Sequence, residues 1–183
     1  MTRRYELRER AARMEETRQR IVNATAALHE EVGPARTTVA AIAERAGVSR
    51  PTVYAQFPDE LSLFSACGAQ FDELHPFPRI DGLALEPALA RVYRHYADNR
   101  TTLSNVHRDA HLLPALAEVL RPVEEYLDAV ANRHGEALGG VSRPVVRLAL
   151  DFATWERLDS EGMSAGRGAA LMARVAACAA RAA

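Results

Sequence analysis

Lysine is absent from this 183-residue chain: all 23 of its Lys and Arg residues are arginine. Cysteine is scarce. Cys67 and Cys178 stand far apart and match neither a paired metal spacing nor a disulfide framework, which removes zinc modules and small disulfide-stapled folds. No stretch reaches the 18 or so uninterrupted apolar residues that a membrane-spanning helix needs. The first twenty residues are charged throughout and lack the apolar segment of a secretory signal. A cytoplasmic protein is the expectation. Period-two runs of β-branched residues are also missing, whereas apolar residues recur at helical spacing along most of the chain, so an all-α fold is expected.

What is present is an uneven distribution of charge. The net charge of −1 argues against a polyanionic partner. Residues 1–58, however, hold ten Arg against seven Glu, a balance of +3, and the remainder carries −4. A phosphate backbone responds to local charge, because salt screens beyond about 10 Å. With 48% hydrophobic residues the chain has ample material for a buried core.

The spacing predicts one long helix over 5–32, with an apolar stripe of Ile21, Ala24, Leu28 and Val32, stopped by Gly33-Pro34. Thr38 caps a short helix from Val39 to Ala46, and Gly47 ends it. Ser49 caps the next, with Pro51 tolerated in its first turn, where a backbone N–H has no partner to lose. That helix ends near Phe57. Asp59 caps a fourth helix running to about Leu74. His75-Pro76-Phe77-Pro78 is a break. Further helices are expected near 84–99, 101–112, 114–135, 143–159 and 164–182, with Gly139-Gly140 a turn and Pro122 a kink or split.

The pair at 39–57 has the composition of a helix-turn-helix. Ala43 is small enough for the second helix to approach, and Gly47 takes a left-handed conformation that most residues resist. Ile42, Ala46, Val48 and Val53 fill the seam. The second helix can then enter the major groove, with its N-terminal residues against base edges. The segment from Thr37 to Phe57, followed by Pro58, Leu61 and Leu63, resembles the signature of the TetR (tetracycline repressor) family. The resemblance covers roughly residues 18–64. It implies an N-terminal three-helix DNA-binding domain joined to a C-terminal helical domain for ligand binding and dimerisation. The corresponding division is an arm or helix extension at 1–17, the DNA-binding domain at 18–64 and the effector and dimer domain at 65–183.

Carried over residue by residue, the resemblance places Thr38 against a phosphate. Ser49, Arg50, Pro51 and Thr52 face bases or the adjacent backbone, the Tyr54 hydroxyl meets a phosphate, and Gln56 lies near the groove. Val53 and Phe57 are core. One position departs from the pattern. Family members usually carry a phosphate-binding Lys three residues after the Phe, and this chain has Glu60. The arm, with seven Arg and four Glu in residues 1–20, can reach an adjacent minor groove, or be a solvated helix face laced with Arg–Glu pairs.

The resemblance implies that the last two helices build a dimer bundle, for which Val145, Leu148, Ala149, Phe152, Trp155 and Leu158, then Leu171, Met172 and Val175, supply apolar stripes. Pocket candidates for a small effector are Tyr93, Tyr96, His107, His111, Tyr126, Phe152 and Trp155, each of which also reads as plain core. His107 and His111 lie one turn apart, but no third ligand matches their spacing, so neither a metal nor another cofactor is expected. No nucleophile–base constellation or phosphate loop suggests an enzyme. The expected function is a ligand-responsive homodimeric repressor on a palindromic operator of double-stranded DNA. The alternative is a helical ligand-binding or adaptor protein that has lost operator binding, as Glu60 and the acidic rear suggest.

Overall fold

A computed structural model describes residues 2–138 and 142–181, and among these all regular structure is helical. Ten α-helices follow in order: α1 (Thr2–Val32), α2 (Val39–Ala46), α3 (Arg50–Gln56), α4 (Glu60–Leu74), α5 (Leu85–Asp98), α6 (Arg100–Asp109), α7 (Pro114–Ala137), α8 (Arg143–Leu150), α9 (Phe152–Ser160) and α10 (Ala165–Arg181). The chain forms two compact units. One comprises residues 1–73 with 104–119, and the other residues 74–103 with 120–183. The turn expected at Gly139-Gly140 lies outside the described residues.

In the first unit, α1 supplies Ile21, Val22, Ala24 and Leu28 to a core completed by Ile42, Ala43 and Ala46 of α2, Val53 of α3, Phe57, and Leu63 and Cys67 of α4. The C-terminal end of α1 is finished by residues far away in sequence. Asn105 donates to the carbonyls of His29 and Glu30, and Arg108 to that of Val32. Asp109 is buried, accepts the Ala35 amide at 3.0 Å and pairs with Arg108 at 2.8 Å. The Arg108 guanidinium holds the Asp109 carboxyl below the usual carboxylate range. Gly33 makes this closure possible. Its φ of 90° suits glycine, and a Cβ there would run into the Arg108 and Asp109 side chains. His29, one turn earlier, is buried edge-on to Phe64 with ring centroids 5.3 Å apart.

In the second unit, α10 packs along α5 and α8 around Val92, Tyr93, Val146, Leu150, Trp155 and Ala169. The helix expected across 143–159 is instead two. Asp151 is extended, with φ −67° and ψ 138°, so α8 ends at Leu150 and α9 begins at Phe152. The break deprives two carbonyls of helical partners, and two buried phenols replace them. Tyr93 Oη donates to Ala149 O at 2.7 Å and Tyr96 Oη to Leu150 O at 2.8 Å. Arg147 holds the same corner by pairing with Glu124, Asp128 and Asp151. The stretch expected as one helix over 101–112 ends at Asp109 and continues as a 3-10 turn, Ala110–Leu112. Pro122 lies inside α7 without dividing it.

Burial lowers the His29 pKa to about 4. The unfolded chain therefore binds a proton at His29 between roughly pH 6.5 and 4 that the folded unit refuses. Stability of the first unit is expected to fall as pH drops through this window, by up to about 3 kcal/mol from this group, whose contribution is complete once pH is below its folded pKa. Chemical unfolding from pH 7 to pH 4 measures this, and His29→Phe should flatten the slope.

Candidate nucleic-acid interface

The interface is assembled from two short helices whose ends are closed by their own side chains. Thr38 is extended and its hydroxyl accepts the Ala41 amide at 3.2 Å, which starts α2. At the other end Gly47 turns left-handed, with φ 64° and ψ 40°. Its N–H donates to Glu44 O and the Val48 N–H to Ala43 O, the paired bonds of a Schellman closure. Val48 packs back onto the core. Ser49 then starts α3, accepting the Thr52 amide at 3.3 Å and sharing a hydrogen bond with the Thr52 hydroxyl at 2.8 Å. Asp59 starts α4 by accepting the Ser62 amide at 2.7 Å.

This chain of caps fixes the rotation of α3. Val53 and Phe57, each 2% exposed, point into the core. Arg50, Pro51, Tyr54 and Ala55 consequently point out, and Tyr54 remains 56% exposed although it is aromatic. Thr52 and Gln56 are half-buried on the flank that faces α1, and Thr38 and Ser49 are exposed at the helix starts. All seven residues expected to meet DNA therefore lie on or beside one helix pair. Glu60 is exposed in the first turn of α4.

Two residues of the arginine-rich segment are committed to structure, which their spacing did not reveal. Arg18 lies over the Phe57 ring at 4.2 Å and donates to the Gln56 carbonyl at the end of α3. Arg20 donates to Ala46 O at the end of α2. Arg45 forms a two-pronged pair with Glu31, at 2.6 and 2.7 Å. Arg18 sits on the same face of α1 as Ile21, and that position was the available signal.

The residues named for an effector pocket divide between the two units. Tyr96, Phe152 and Trp155 are buried together in the second unit, with ring centroids 5.1–5.8 Å apart, and Tyr93 is buried in the same unit. Tyr126 is half-buried there, accepting the Ile80 amide and donating to Asp81. His107 and His111 belong to the first unit, half-buried and exposed respectively. Among the described residues, no three His, Cys, Asp or Glu side chains come together as a metal site would require. No described helix is long and apolar enough to cross a membrane.

A capped helix pair with one face sunk and one polar face outward is the geometry of a helix-turn-helix. The family model described as bacterial regulatory proteins, tetR family, matches residues 21–67. Uncharacterized HTH-type transcriptional regulators of Mycobacterium tuberculosis and Mycobacterium bovis are 49% identical over 47 residues, a match spanning 26% of this chain and 25% of each relative. Among solved structures, Salmonella enterica GusR superposes with a TM-score of 0.59 at 22% identity, covering 90% of this chain and 95% of that one. RolR in complex with the ligand resorcinol superposes with a TM-score of 0.51 at 21% identity, covering 94% of each chain. A TetR-family structure from Mesorhizobium loti gives 0.51 at 19% identity, covering 93% of this chain and 96% of that one. The likeness to the tetR family of bacterial regulatory proteins is thus carried in sequence by the helix-turn-helix segment, and beyond it by the fold.

Gly47 offers a test of the local geometry. A Cβ there would meet nothing nearer than Arg20 at 3.8 Å, so Gly47→Ala adds backbone strain without a clash. The expected loss is about 1 kcal/mol of unfolding free energy, read by denaturant titration.

Proposed function

We propose that the protein is a homodimeric transcriptional repressor that holds a palindromic DNA operator and releases it when a small molecule binds. The observation that carries this reading is the outward face of α3, where Arg50, Pro51 and Tyr54 project from a helix anchored by Val53 and Phe57. Arg50 supplies a charged donor for base edges or phosphate, and the Tyr54 hydroxyl a donor for phosphate. Two copies spaced by one or more helical turns read a palindrome.

Dimerisation is proposed through α8 and α10. The stripe read from the sequence is mostly spent inside the chain, since Ala149, Phe152, Trp155 and Met172 are buried. Leu148 and Val175 stay outside, 53% and 41% exposed, with Val145, Leu158 and Leu171 half-buried. These are the side chains a second copy would cover. For the effector, the second unit contributes its aromatic interior, and RolR, a protein of this fold, is seen with resorcinol. The proposed route of the signal is α4, which runs from beside the helix-turn-helix to Leu74, where the second unit begins. The effector must bind the released state more tightly, with a coupling of about 1–3 kcal/mol typical of such systems.

A second reading, a helical ligand-binding or adaptor protein without operator binding, is favoured by one observation. Glu60 places an exposed carboxylate where the family usually has a cation. Selection of duplexes from a random pool, followed by a salt-dependent gel shift, separates the two. The regulator reading expects a preferred duplex, and absence of any preference at low salt with the protein folded favours the adaptor. On the selected duplex, Arg50→Ala and Tyr54→Phe should each weaken binding about 5- to 100-fold without lowering thermal stability. Glu60→Lys should strengthen it and steepen the salt dependence by about 0.9 in log–log slope.

A further inference from the structure

The recognition helix α3 is only seven residues long, so its candidate contact residues occupy its whole length, from Arg50 to Gln56. A helix this short is marginal on its own propensity. Its start is closed by Ser49 and Thr52, but its end has no such local device. α2 stops at the left-handed Gly47, whereas α3 runs out into Phe57, which is extended with φ −137° and ψ 94°. The last turn of α3 also carries no basic residue of its own to meet its carbonyls.

The closure comes from α1. Arg18 donates to the Gln56 carbonyl at 3.1 Å and lies over the Phe57 ring at 4.2 Å, so it grips both the helix end and the anchor that follows. Arg20, two residues on, donates to the Ala46 carbonyl at the end of α2 at 3.2 Å. Both helices of the pair are thereby fastened to one helix, whose Ile21 is fully buried. We infer that Arg18 is a positioning residue for DNA recognition: it touches no DNA and holds the last turn of α3 in the pose from which the helix reads base edges. The inference rests on the DNA-binding reading above and adds to it a residue 38 positions from the helix end it holds.

The geometry separates this role from that of a phosphate ligand. The Arg18 guanidinium is already engaged, with its face on a ring and a nitrogen on a carbonyl. Moving it to a phosphate would uncover Phe57 and leave the Gln56 carbonyl without its donor. Arg18 is also half-buried, whereas Arg10 and Arg13 earlier in α1 are exposed. Its point of action matters as well. Val53 and Phe57 fix the rotation of α3 about its axis, and the turn at Gly47 ties its first residues to α2. The bond from Arg18 ties the other end, and a short rod tied at both ends has its direction set. Base readout needs such a constraint, because a functional constellation tolerates only about 10–20° of misorientation.

The test uses the full chain. In the free protein, Arg18→Gln should speed amide hydrogen exchange at Gln56 and Phe57 and leave the α2 amides unchanged. On a duplex that the unaltered chain selects from a random pool, the variant should bind about tenfold more weakly. Its affinity for a scrambled duplex and its slope of log K against log salt should stay as they were. Loss of a phosphate ligand would instead weaken both duplexes and lower the slope by about 0.9. Should Arg18→Gln fail to fold, Arg18→Lys takes its place, keeping the charge without the fork or the flat face, with a smaller loss of preference and the same slope. Full preference in the folded variant, a lowered slope, or unchanged exchange at Gln56 and Phe57 overturns the positioning role and leaves the regulator reading standing. Failure of the unaltered chain to prefer any duplex overturns both.

Discussion

Every α-helix leaves its first amides and last carbonyls without partners inside the helix, and a chain with many short helices meets this demand repeatedly. Here the side chains that meet it also set the architecture. Thr38 and Ser49 start the motif helices, and Arg18 and Arg20 finish them from α1. Asn105 and Arg108 finish α1 itself. Tyr93 and Tyr96 finish α8 where Asp151 breaks away. Without these partners, the buried carbonyls of Ala149 and Leu150 would each cost about 1–3 kcal/mol, and the more exposed helix ends would fray toward water.

The same demand explains how arginine is used. In Arg18 one side chain covers an aromatic ring and closes a helix, because the guanidinium is both a flat stacking surface and a fork of donors. Arg108 joins a carbonyl of α1 to the buried Asp109, and Arg147 gathers three carboxylates around the Asp151 corner. Three of the ten arginines counted in the front of the chain, Arg18, Arg20 and Arg45, are likewise structural. What is left for a polyanion is concentrated at Arg50 and along the exposed face of α1.

The placement of the aromatic residues follows from the helix break. An unbroken helix over 143–159 would have satisfied its own carbonyls and left the two phenols without acceptors. With the break, Tyr93 and Tyr96 become internal donors, and burial pushes both phenols up so that they keep their protons. Of the residues that read as pocket candidates, Tyr93 and Tyr96 are here tied to the main chain, their hydroxyls spent on the carbonyls at the end of α8.

The amino-acid sequence by itself determined the helix-turn-helix. The starts at Thr38, Ser49 and Asp59 and the stop at Gly47 are local devices, each formed within five residues, so they can be read without knowing what packs where. The face of α3 turned outward follows from the same short stretch, because Val53 and Phe57 must go inward. Only the tertiary structure decided the rest. That residues 104–119 join the unit of the recognition helix, that Asp109 closes the end of α1, and that Asp151 divides a helix all depend on contacts between residues as many as 76 apart. Such contacts leave no periodic trace in the chain, because the polar groups they satisfy exist only once the helices have met.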